Sequence, residues 1–299
     1  MPFKVVMLGT ASAFPTKERA HTSIYLDVGK EAFLFDAGES VQRQILFAGL
    51  SPMKISKIFI SHWHGDHVLG LGGLLQSYGI NKRSTKLEIY GPAGIRKKIN
   101  NLFQTFDLRI EYPIEVKDVK NKKVLETEEY KIVAEKCAHG AIPCLAYAFI
   151  EAAKRKINIE YLSKFGLRNH PIIKNLQEGK DIFWGNKKIT AKKATYLVPG
   201  KKIVFILDSA FTKKLVSFAS GADLLICEAT FGEELRAEAK KYGHMCAKDA
   251  AELAKRAKVK KLILTHFSQR YKDTNTLLME AKKVFEETKC AKDFDVFVV

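Results

Sequence analysis

The stretch Ser61-His62-Trp63-His64-Gly65-Asp66-His67 holds three histidines and one aspartate within six consecutive positions. It follows the apolar segment Lys57–Ile60, which predicts a short buried strand, and precedes the helical pattern of Val68–Tyr78. In an extended loop the first two histidines, which alternate with other residues, point to the same side. The Asp-His pair that follows turns into the helix and faces a second point. The spacing predicts two adjacent metal ions rather than one.

Two metal sites need more ligands than this loop provides, because zinc takes about four ligands per ion. His139, Asp208 and His266 are the further candidates, and each follows a predicted apolar strand. These strands are predicted over Glu129–Cys137, Lys202–Leu207 and Lys260–Leu264. Side chains at the ends of several strands can converge on one rim of a rigid scaffold. We therefore expect these three side chains to complete the metal site.

The rest of the chain reads as strands interleaved with helices, opening with the strand Lys4–Leu8 and a hairpin that turns at Gly29-Lys30. This order predicts two packed sheets with helices outside, in an α/β (α+β) fold. No fixed repeat and no Ser/Pro/Gly-rich linker divides the sequence. We predict one domain over residues 1–299, with an insertion over residues 151–202.

The insertion is strongly basic. Residues 151–202 carry thirteen Lys or Arg against four Asp or Glu, a net +9 out of +17 for the 299-residue chain. Aromatic residues interleave with this charge, at Phe165, Phe183, Trp184 and Tyr196. An exposed Lys-rich surface is often only solvated, but basic and aromatic side chains together are typical of RNA-binding segments. We predict a projecting arm that grips phosphates and stacks on bases.

Composition narrows the class of protein. With 46% hydrophobic residues the chain can bury a large core, and no apolar run approaches the roughly 18 residues of a membrane span. The N-terminus has no signal-peptide layout. Five widely spaced cysteines are expected to be free thiols. We expect a soluble, cytoplasmic protein without a membrane partner.

The metal-ligand pattern, His-x-His-x-Asp-His followed by single His, Asp and His residues at strand ends, resembles the metallo-β-lactamase superfamily. More narrowly, the chain is similar to the ribonuclease Z family of tRNA 3′-processing endonucleases. The matching stretches are Leu8-Gly9-Thr10, Pro15–Arg19, Phe35–Glu39, Ser61–Leu74, His139, Leu207-Asp208, Cys227–Phe231 and Leu264–Tyr271. The resemblance implies a four-layer αββα sandwich with an inserted basic arm. It also implies removal of the 3′ trailer of precursor tRNA, which leaves a 3′-hydroxyl on the tRNA.

The resemblance further implies two Zn²⁺ per subunit, with Mn²⁺ or another divalent metal as an alternative. One ion would be held by His62, His64 and His139, and the other by Asp66, His67 and His266. Asp208 would bridge the two ions, and Asp36 would orient the ligands.

Asp66 would also receive a proton from the attacking water, while His244, held by Glu228, would serve the leaving 3′ oxygen. Contacts with precursor tRNA are expected from Lys17, Arg19, Lys154, Arg155, Lys156, Arg168 and Lys174. The two remaining histidines, His21 and His170, are expected at the surface. The family also implies a homodimer.

Two positions depart from the family pattern. His170-Pro171 stands where family arms commonly carry Gly-Pro, and Ala20 follows Arg19 where bacterial members tend to have Asn. Two other functions stay open at this stage. A small-molecule metallo-hydrolase, such as a phosphodiesterase or lactonase, would explain the metals but not the basic insertion. An RNA-binding protein without activity would not need the intact ligand set.

Overall fold

The computed structural model describes residues 2–120 and 122–299, and they form two compact units. The first unit contains the described residues up to Glu126 together with Ile132–Phe149 and Lys202–Val299. The second unit contains Thr127–Lys131 and Ile150–Lys201. Most of the second unit therefore comes from the basic stretch of the sequence.

The strands are, in chain order, β1 (Lys4–Gly9), β2 (Ser23–Asp27), β3 (Ala32–Phe35), β4 (Ile55–Phe59), β5 (Leu87–Gly91), β6 (Ile114–Asp118), β7 (Lys123–Glu126), β8 (Tyr130–Lys136), β9 (Leu145–Glu151), β10 (Lys154–Ile157), β11 (Ile182–Trp184), β12 (Lys187–Ile189), β13 (Thr195–Val198), β14 (Lys202–Ile206), β15 (Leu224–Glu228), β16 (Leu262–Thr265), β17 (Thr288–Cys290) and β18 (Val296–Val298). The helices are α1 (Val41–Phe47), α2 (Gly65–Val68), α3 (Leu71–Ile80), α4 (Ile95–Thr105), α5 (Ile159–Ser163), α6 (Ile173–Gln177), α7 (Ala191–Ala194), α8 (Lys213–Ala219), α9 (Arg236–Tyr242), α10 (Ala247–Ala257) and α11 (Asn275–Lys282). Short 3₁₀ turns lie at Pro52–Lys54 and Glu233–Leu235.

The first unit contains two seven-stranded sheets. One has the order β18-β1-β2-β3-β4-β5-β6, antiparallel from β18 to β3 and parallel from β3 to β6. The other has the order β17-β16-β15-β14-β9-β8-β7, and its strands β14 to β17 are parallel. In parallel strands the carboxyl ends meet at one edge, where the following loops can assemble a site. The loop after β4 carries His62, His64, Asp66 and His67, and in the other sheet Asp208 follows β14 and His266 follows β16.

Aromatic side chains fill the space between the two sheets. Phe35 of β3 stacks on Phe205 of β14 with ring centroids 3.8 Å apart, and Phe59 of β4 meets Tyr147 of β9 at 5.4 Å. Helices α1, α3 and α4 contribute to the apolar layer on the outer side of the first sheet, and α10 packs on β15 and β16 of the second. The predicted αββα sandwich is therefore confirmed.

The second unit has its own small core. Two antiparallel strand pairs, β10 with β13 and β11 with β12, combine with the short helices α5, α6 and α7. The buried core residues are Leu162, Leu167, Leu176, Ile182, Ile189, Ala191 and Ala194. Burial of these residues gives the basic stretch a defined structure, so its charged side chains are displayed on ordered elements.

The helices are short. Within residues 2–120 and 122–299, none has the length and apolar character that a membrane-spanning helix requires.

Candidate metal centre

The first group of candidate ligands comes from loops that follow strands of both sheets. His62 and His64 lie in the loop after β4, His139 follows β8, and Asp208 follows β14. His62 Nε2 lies 2.8 Å from His64 Nδ1, and His139 Nε2 lies 3.3 Å from the same atom. Asp208 Oδ2 is 3.7 Å from His62 Nε2 and 3.6 Å from His139 Nε2. One ligand atom from each of these four residues lies within 4.8 Å of all the others, which is a spacing that one metal ion can fill.

The second group lies on the other side of the Asp208 carboxylate. His67 Nε2 and His266 Nε2 are 3.3 Å apart, and each is 3.4 Å from Asp66 Oδ2. Asp208 Oδ1 lies 3.2 Å from His67 Nε2 and 3.1 Å from His266 Nε2. The two oxygens of Asp208 therefore face different groups of ligands. The structure brings together all seven residues that the sequence predicts as ligands.

Hydrogen bonds on the outer side of the rings fix the tautomers of two histidines without reference to any metal. His139 Nδ1 lies 3.1 Å from the carbonyl oxygen of Gly243, which can only accept, so this nitrogen carries the proton. Thr230 donates its hydroxyl proton to Glu228 Oε2 at 2.6 Å, so its oxygen accepts from His266 Nδ1 at 2.9 Å. In the neutral form of each ring, the lone pair is consequently on Nε2, which faces the ligand group.

Asp36 orients the other two buried rings. Its Oδ2 accepts from His67 Nδ1 at 2.6 Å and from the Ser61 hydroxyl at 2.6 Å. Because the Ser61 hydroxyl donates to Asp36, its oxygen accepts from His62 Nδ1 at 3.0 Å. The predicted position of Asp36 behind the ligands thus agrees with the geometry, whereas Ser61 and Thr230 were not predicted to orient rings. Carboxylate or hydroxyl partners of this kind hold metal-binding imidazoles in one orientation.

Two of these residues have a strained backbone. Asp36 has φ of 56° and His266 has φ of 61°. Both values lie in the left-handed region that residues other than glycine rarely adopt. Both follow parallel strands, β3 and β16. Backbone strain that the surrounding structure maintains is concentrated at functional sites.

The charges of the centre fit divalent cations. Burial, together with the neighbouring His67, lowers the pKa of His62 to about 2, so this ring is neutral. Burial also lowers the pKa of His67, but the carboxylates of Asp208 and Asp36 outweigh that effect and hold it well above its usual value. The buried carboxylates therefore favour a positive charge between the ligands, which a proton or a metal cation can provide. Converging imidazole nitrogens and carboxylate oxygens are the donor set that zinc and similar ions prefer.

His244 and Glu228 form a pair beside the ligands. His244 Nδ1 lies 3.0 Å and 3.2 Å from the two oxygens of Glu228, and 3.9 Å from Asp208 Oδ2. Burial lowers the pKa of His244, but the charge of Glu228 and its hydrogen bond outweigh burial and raise the pKa to about 9. The imidazole is therefore a charged donor at neutral pH, with Nδ1 fixed by Glu228 and Nε2 available for another partner.

A cleft of about 610 Å³ opens onto the centre. Its wall contains His64, Asp66, His139, Asp208, His244 and His266, together with His21, Phe14 and Tyr242. His21 is only 6% exposed, so its predicted surface position is wrong. The backbone of the loop explains this, because Ala11 and His21 form a β-bridge that carries the ring inward beside Gly38. Nothing in the local sequence distinguishes this histidine from a surface residue.

The predicted RNA-binding residues fall into two places. Lys17 and Arg19 lie in the loop after β1 of the first unit, where Lys17 is exposed. Arg19 is buried and donates from Nη2 to the carbonyl oxygen of Tyr271. The other five are in the second unit, where all but the half-buried Arg155 are exposed; they are Lys154, Arg155, Lys156, Arg168 and Lys174. His170 is exposed, as expected, and its ring meets Trp184 at 4.9 Å.

The sequence of the chain is similar to that of known proteins. A protein named ribonuclease Z from Methanothermobacter thermautotrophicus is 38% identical over 291 residues, which is 97% of this chain and 94% of that protein. Another from Archaeoglobus fulgidus is 40% identical over 299 residues, covering 98% and 97% of the two chains. The sequence model of the family described as "Anti-Pycsar protein Apyc1" matches residues 3–147.

Solved structures agree with these relatives. The short form of human tRNase Z superposes with a TM-score of 0.71 at 26% identity, covering 98% of each chain. The metallo-β-lactamase fold protein YhfI from Bacillus subtilis superposes with a TM-score of 0.72 at 23% identity, over 100% of this chain and 99% of that one, which shows the shared fold alone. With close relatives over nearly its whole length, the chain belongs to the ribonuclease Z family.

Proposed function

We propose that this protein is the metal-dependent endoribonuclease that removes the 3′ trailer from precursor tRNA and leaves a 3′-hydroxyl on the tRNA. The observation that carries the proposal is the pair of ligand groups that share Asp208, with the charged His244 beside them, in a chain of the ribonuclease Z family. Family membership supports the substrate, and the geometry of the site supports hydrolysis of a phosphodiester.

We propose two Zn²⁺ per subunit, with Mn²⁺ or another divalent metal as the alternative. His62, His64 and His139 would hold one ion, Asp66, His67 and His266 the other, and Asp208 would be shared by both. Divalent ions held in this way supply Lewis acidity, which activates water for attack and neutralises charge on the scissile phosphate. The outward hydrogen bonds of the rings support this assignment, because they direct lone pairs towards both positions.

The remaining steps belong to side chains of the protein. Asp66 would orient the attacking water and accept its proton. On the other side, Nε2 of the charged His244 would donate a proton to the 3′ oxygen that leaves with the tRNA. Glu228 would keep the imidazole charged and fixed through its two contacts with Nδ1. Asp36 would position His67 and, through Ser61, His62.

The second unit would bind the RNA. Its two strand pairs each place an exposed aromatic residue directly opposite an exposed lysine, Tyr196 opposite Lys156 and Phe183 opposite Lys188. Such pairs offer a stacking surface and a phosphate contact at the same point. We propose contacts from Lys154, Arg155, Lys156, Arg168 and Lys174, and from Lys17 in the first unit. The guanidinium of Arg19 is less accessible to RNA, because it is buried and donates to the carbonyl oxygen of Tyr271.

A homodimer and a cytoplasmic location complete the proposal, and both rest on the family. Light scattering on the purified protein tests the first, since a mass near twice 33.7 kDa is expected. Fractionation of cells tests the second.

The decisive experiment is cleavage of a precursor tRNA with a 3′ extension, in parallel with an Asp66→Ala variant and a chelator. We expect a single cut after the discriminator base, a 3′-hydroxyl on the tRNA, and loss of cleavage in both controls. Survival of the RNA while a simple phosphodiester or lactone is hydrolysed would reject the substrate and retain the metal site. Cleavage that persists in the Asp66→Ala variant would reject the site itself.

A further inference from the structure

The cleft over the metal centre has two exposed aromatic rings in its wall. Phe14 is 62% exposed and Tyr242 is 55% exposed, although His139, Asp208 and His266 in the same cleft are almost completely buried. Single exposed apolar residues are common on protein surfaces. Two rings in the wall of one cleft above a set of buried ligands need another explanation, because they leave apolar area in water at the point where substrate must enter.

The loop that carries Phe14 is anchored at several points. Pro15 restricts the backbone of the residue before it to extended conformations. The backbone N–H of Ala11 donates to Ala20 at 2.9 Å, and that of Ala20 donates to Asp293 Oδ2 at 2.7 Å. The backbone that carries Phe14 is thus fixed before any ligand arrives, which reduces the entropy lost when a base stacks on its ring.

Tyr242 is anchored through the metal-ligand side of the cleft. It ends α9, and the next residue, Gly243, adopts φ of 72° and accepts a hydrogen bond from His139 Nδ1 at 3.1 Å. The following residue is His244, whose N–H donates to Ala239 at 2.8 Å. The Lys241 ammonium lies 5.2 Å from the centre of the Tyr242 ring and adds positive charge beside it. Tyr242 and His244 therefore belong to one fixed segment.

The two rings flank different parts of the centre. Tyr242 is two residues from His244, which pairs with Glu228 and approaches Asp208. Phe14 shares its loop with His21, and the His21 side chain and the backbone of Asp66 both lie against Gly38. A strand of RNA that crosses the centre would pass one ring before the cut and the other ring after it.

We infer that Tyr242 and Phe14 stack on the two bases that flank the scissile phosphate, Tyr242 on the base of the upstream nucleotide and Phe14 on the first base of the trailer. The inference rests on the proposed endonuclease function, because the upstream nucleotide carries the 3′ oxygen that His244 serves. Stacking on aromatic rings accepts every base, so it holds the backbone over the metals without restricting the trailer sequence. The rings act as positioning residues for the scissile bond.

Substitution of each ring tests the idea. We expect Phe14→Ala and Tyr242→Ala each to lower kcat/KM on precursor tRNA about ten-fold. The ring-retaining variants Phe14→Trp and Tyr242→Phe should remain close to the parent. Phe47→Ala is a matched control, because Phe47 is also 62% exposed and lies outside the wall of this cleft. Metal content and melting temperature should be unchanged in every variant that is compared.

An abasic ribose in the substrate separates stacking from a structural effect. In the parent enzyme, an abasic residue just upstream of the cut should lower kcat/KM about ten-fold, and in Tyr242→Ala it should have no further effect. Phe14→Ala should behave in the same way with an abasic residue just downstream. The inference would be overturned if the loss from each substitution and the loss from the abasic residue simply added. It would also be overturned if Tyr242→Ala masked the downstream abasic residue and Phe14→Ala masked the upstream one. If the parent does not cut precursor tRNA, the proposed function fails instead, so the two failures are distinguishable.

Discussion

The metal centre and the second unit use charge in opposite ways. In the centre, charged and polar groups such as Asp36, Asp208, Glu228 and His67 are almost completely buried, and hydrogen bonds fix the orientation of Asp36, His67 and Glu228. In the second unit, a core of apolar side chains supports basic residues that are mostly exposed. The stability of a buried charge depends on each of its partners, because water cannot replace them. An exposed charge is hydrated, so its contribution to binding is nearly independent of its neighbours.

This difference sets the scale of the effect of a substitution. Removing one group from the buried centre leaves its partners unpaired in a medium that cannot hydrate them. Removing one lysine from the second unit leaves the remaining positive charge in place. Single changes should therefore be severe in the centre and mild in the second unit, and four predictions test that contrast.

The largest effect is expected from Asp208→Asn. An amide offers one oxygen where the carboxylate presents Oδ2 to one ligand group and Oδ1 to the other, so one group must lose its shared ligand. We expect metal affinity and cleavage to fall by more than about 100-fold, since loss of an outer partner alone costs 10–100-fold. Metal content after desalting and kcat on precursor tRNA measure this. Retention of two ions per subunit would contradict the assignment, and Glu286→Gln on the surface serves as the control.

The next effect concerns His244. The proton that Glu228 holds on this imidazole, with its pKa of about 9, should be lost as pH rises through that value, so kcat/KM should fall above pH of about 9. His244→Ala should lower kcat by about 10²–10⁴-fold and remove this alkaline decline. In Glu228→Gln the imidazolium loses its carboxylate, so its pKa drops and the decline should move to lower pH. An unchanged alkaline limb in both variants would reject His244 as the proton donor.

The sequence predicted the centre better than the rest of the molecule, and the reason is physical. Few residue types can bind a metal ion, so the sequence marked His62, His64, Asp66, His67, His139, Asp208 and His266 as candidate ligands, and the structure brings these residues together. The hydroxyl groups of Ser61 and Thr230 link each residue to a partner far away along the chain, Asp36 and His266 respectively, and no local pattern marks these contacts. The inward position of His21 likewise depends on a β-bridge with Ala11.

Secondary structure shows the same limit. In helix α10, Ala247–Ala257, small and apolar residues follow a clear helical period, which is the pattern by which a sequence indicates a helix. Strands β6 and β7 were not predicted. Their residues are half-buried or exposed and carry several charges, so their sequence lacks the apolar run of a central strand. The predicted helix Val68–Tyr78 is instead divided, with α2 ending at Val68 and α3 beginning at Leu71.

A smaller effect than for the ligands is expected from Asp36→Asn. Asparagine tolerates the left-handed backbone that Asp36 adopts, so this change removes the charge and leaves the fold. His67 Nδ1 and the Ser61 hydroxyl would lose their charged acceptor, and metal affinity should fall about 10–100-fold. A competition titration with a metal chelator measures the change. Asp36→Ala should add a backbone penalty and melt at lower temperature, and equal metal affinity in the parent and Asp36→Asn would contradict the orienting role.

The smallest effect is expected from single lysines of the second unit. Lys156→Gln and Lys188→Gln should each raise KM on precursor tRNA only about three-fold, because an exposed charge contributes little by itself. Their signature should be the salt dependence, since each lost phosphate contact reduces the slope of log kcat/KM against log salt concentration by about 0.7–0.9. Lys283→Gln, an exposed lysine after α11 in the first unit, is the matched control and should keep the parent slope. Hydrolysis of a small phosphodiester should be the same in all three variants, because such a substrate is too small to require the exposed lysines. If either lysine variant lost as much activity as Asp208→Asn, the contrast between the two regions would be wrong. If the salt dependence were unchanged in both lysine variants, the second unit would not bind the RNA.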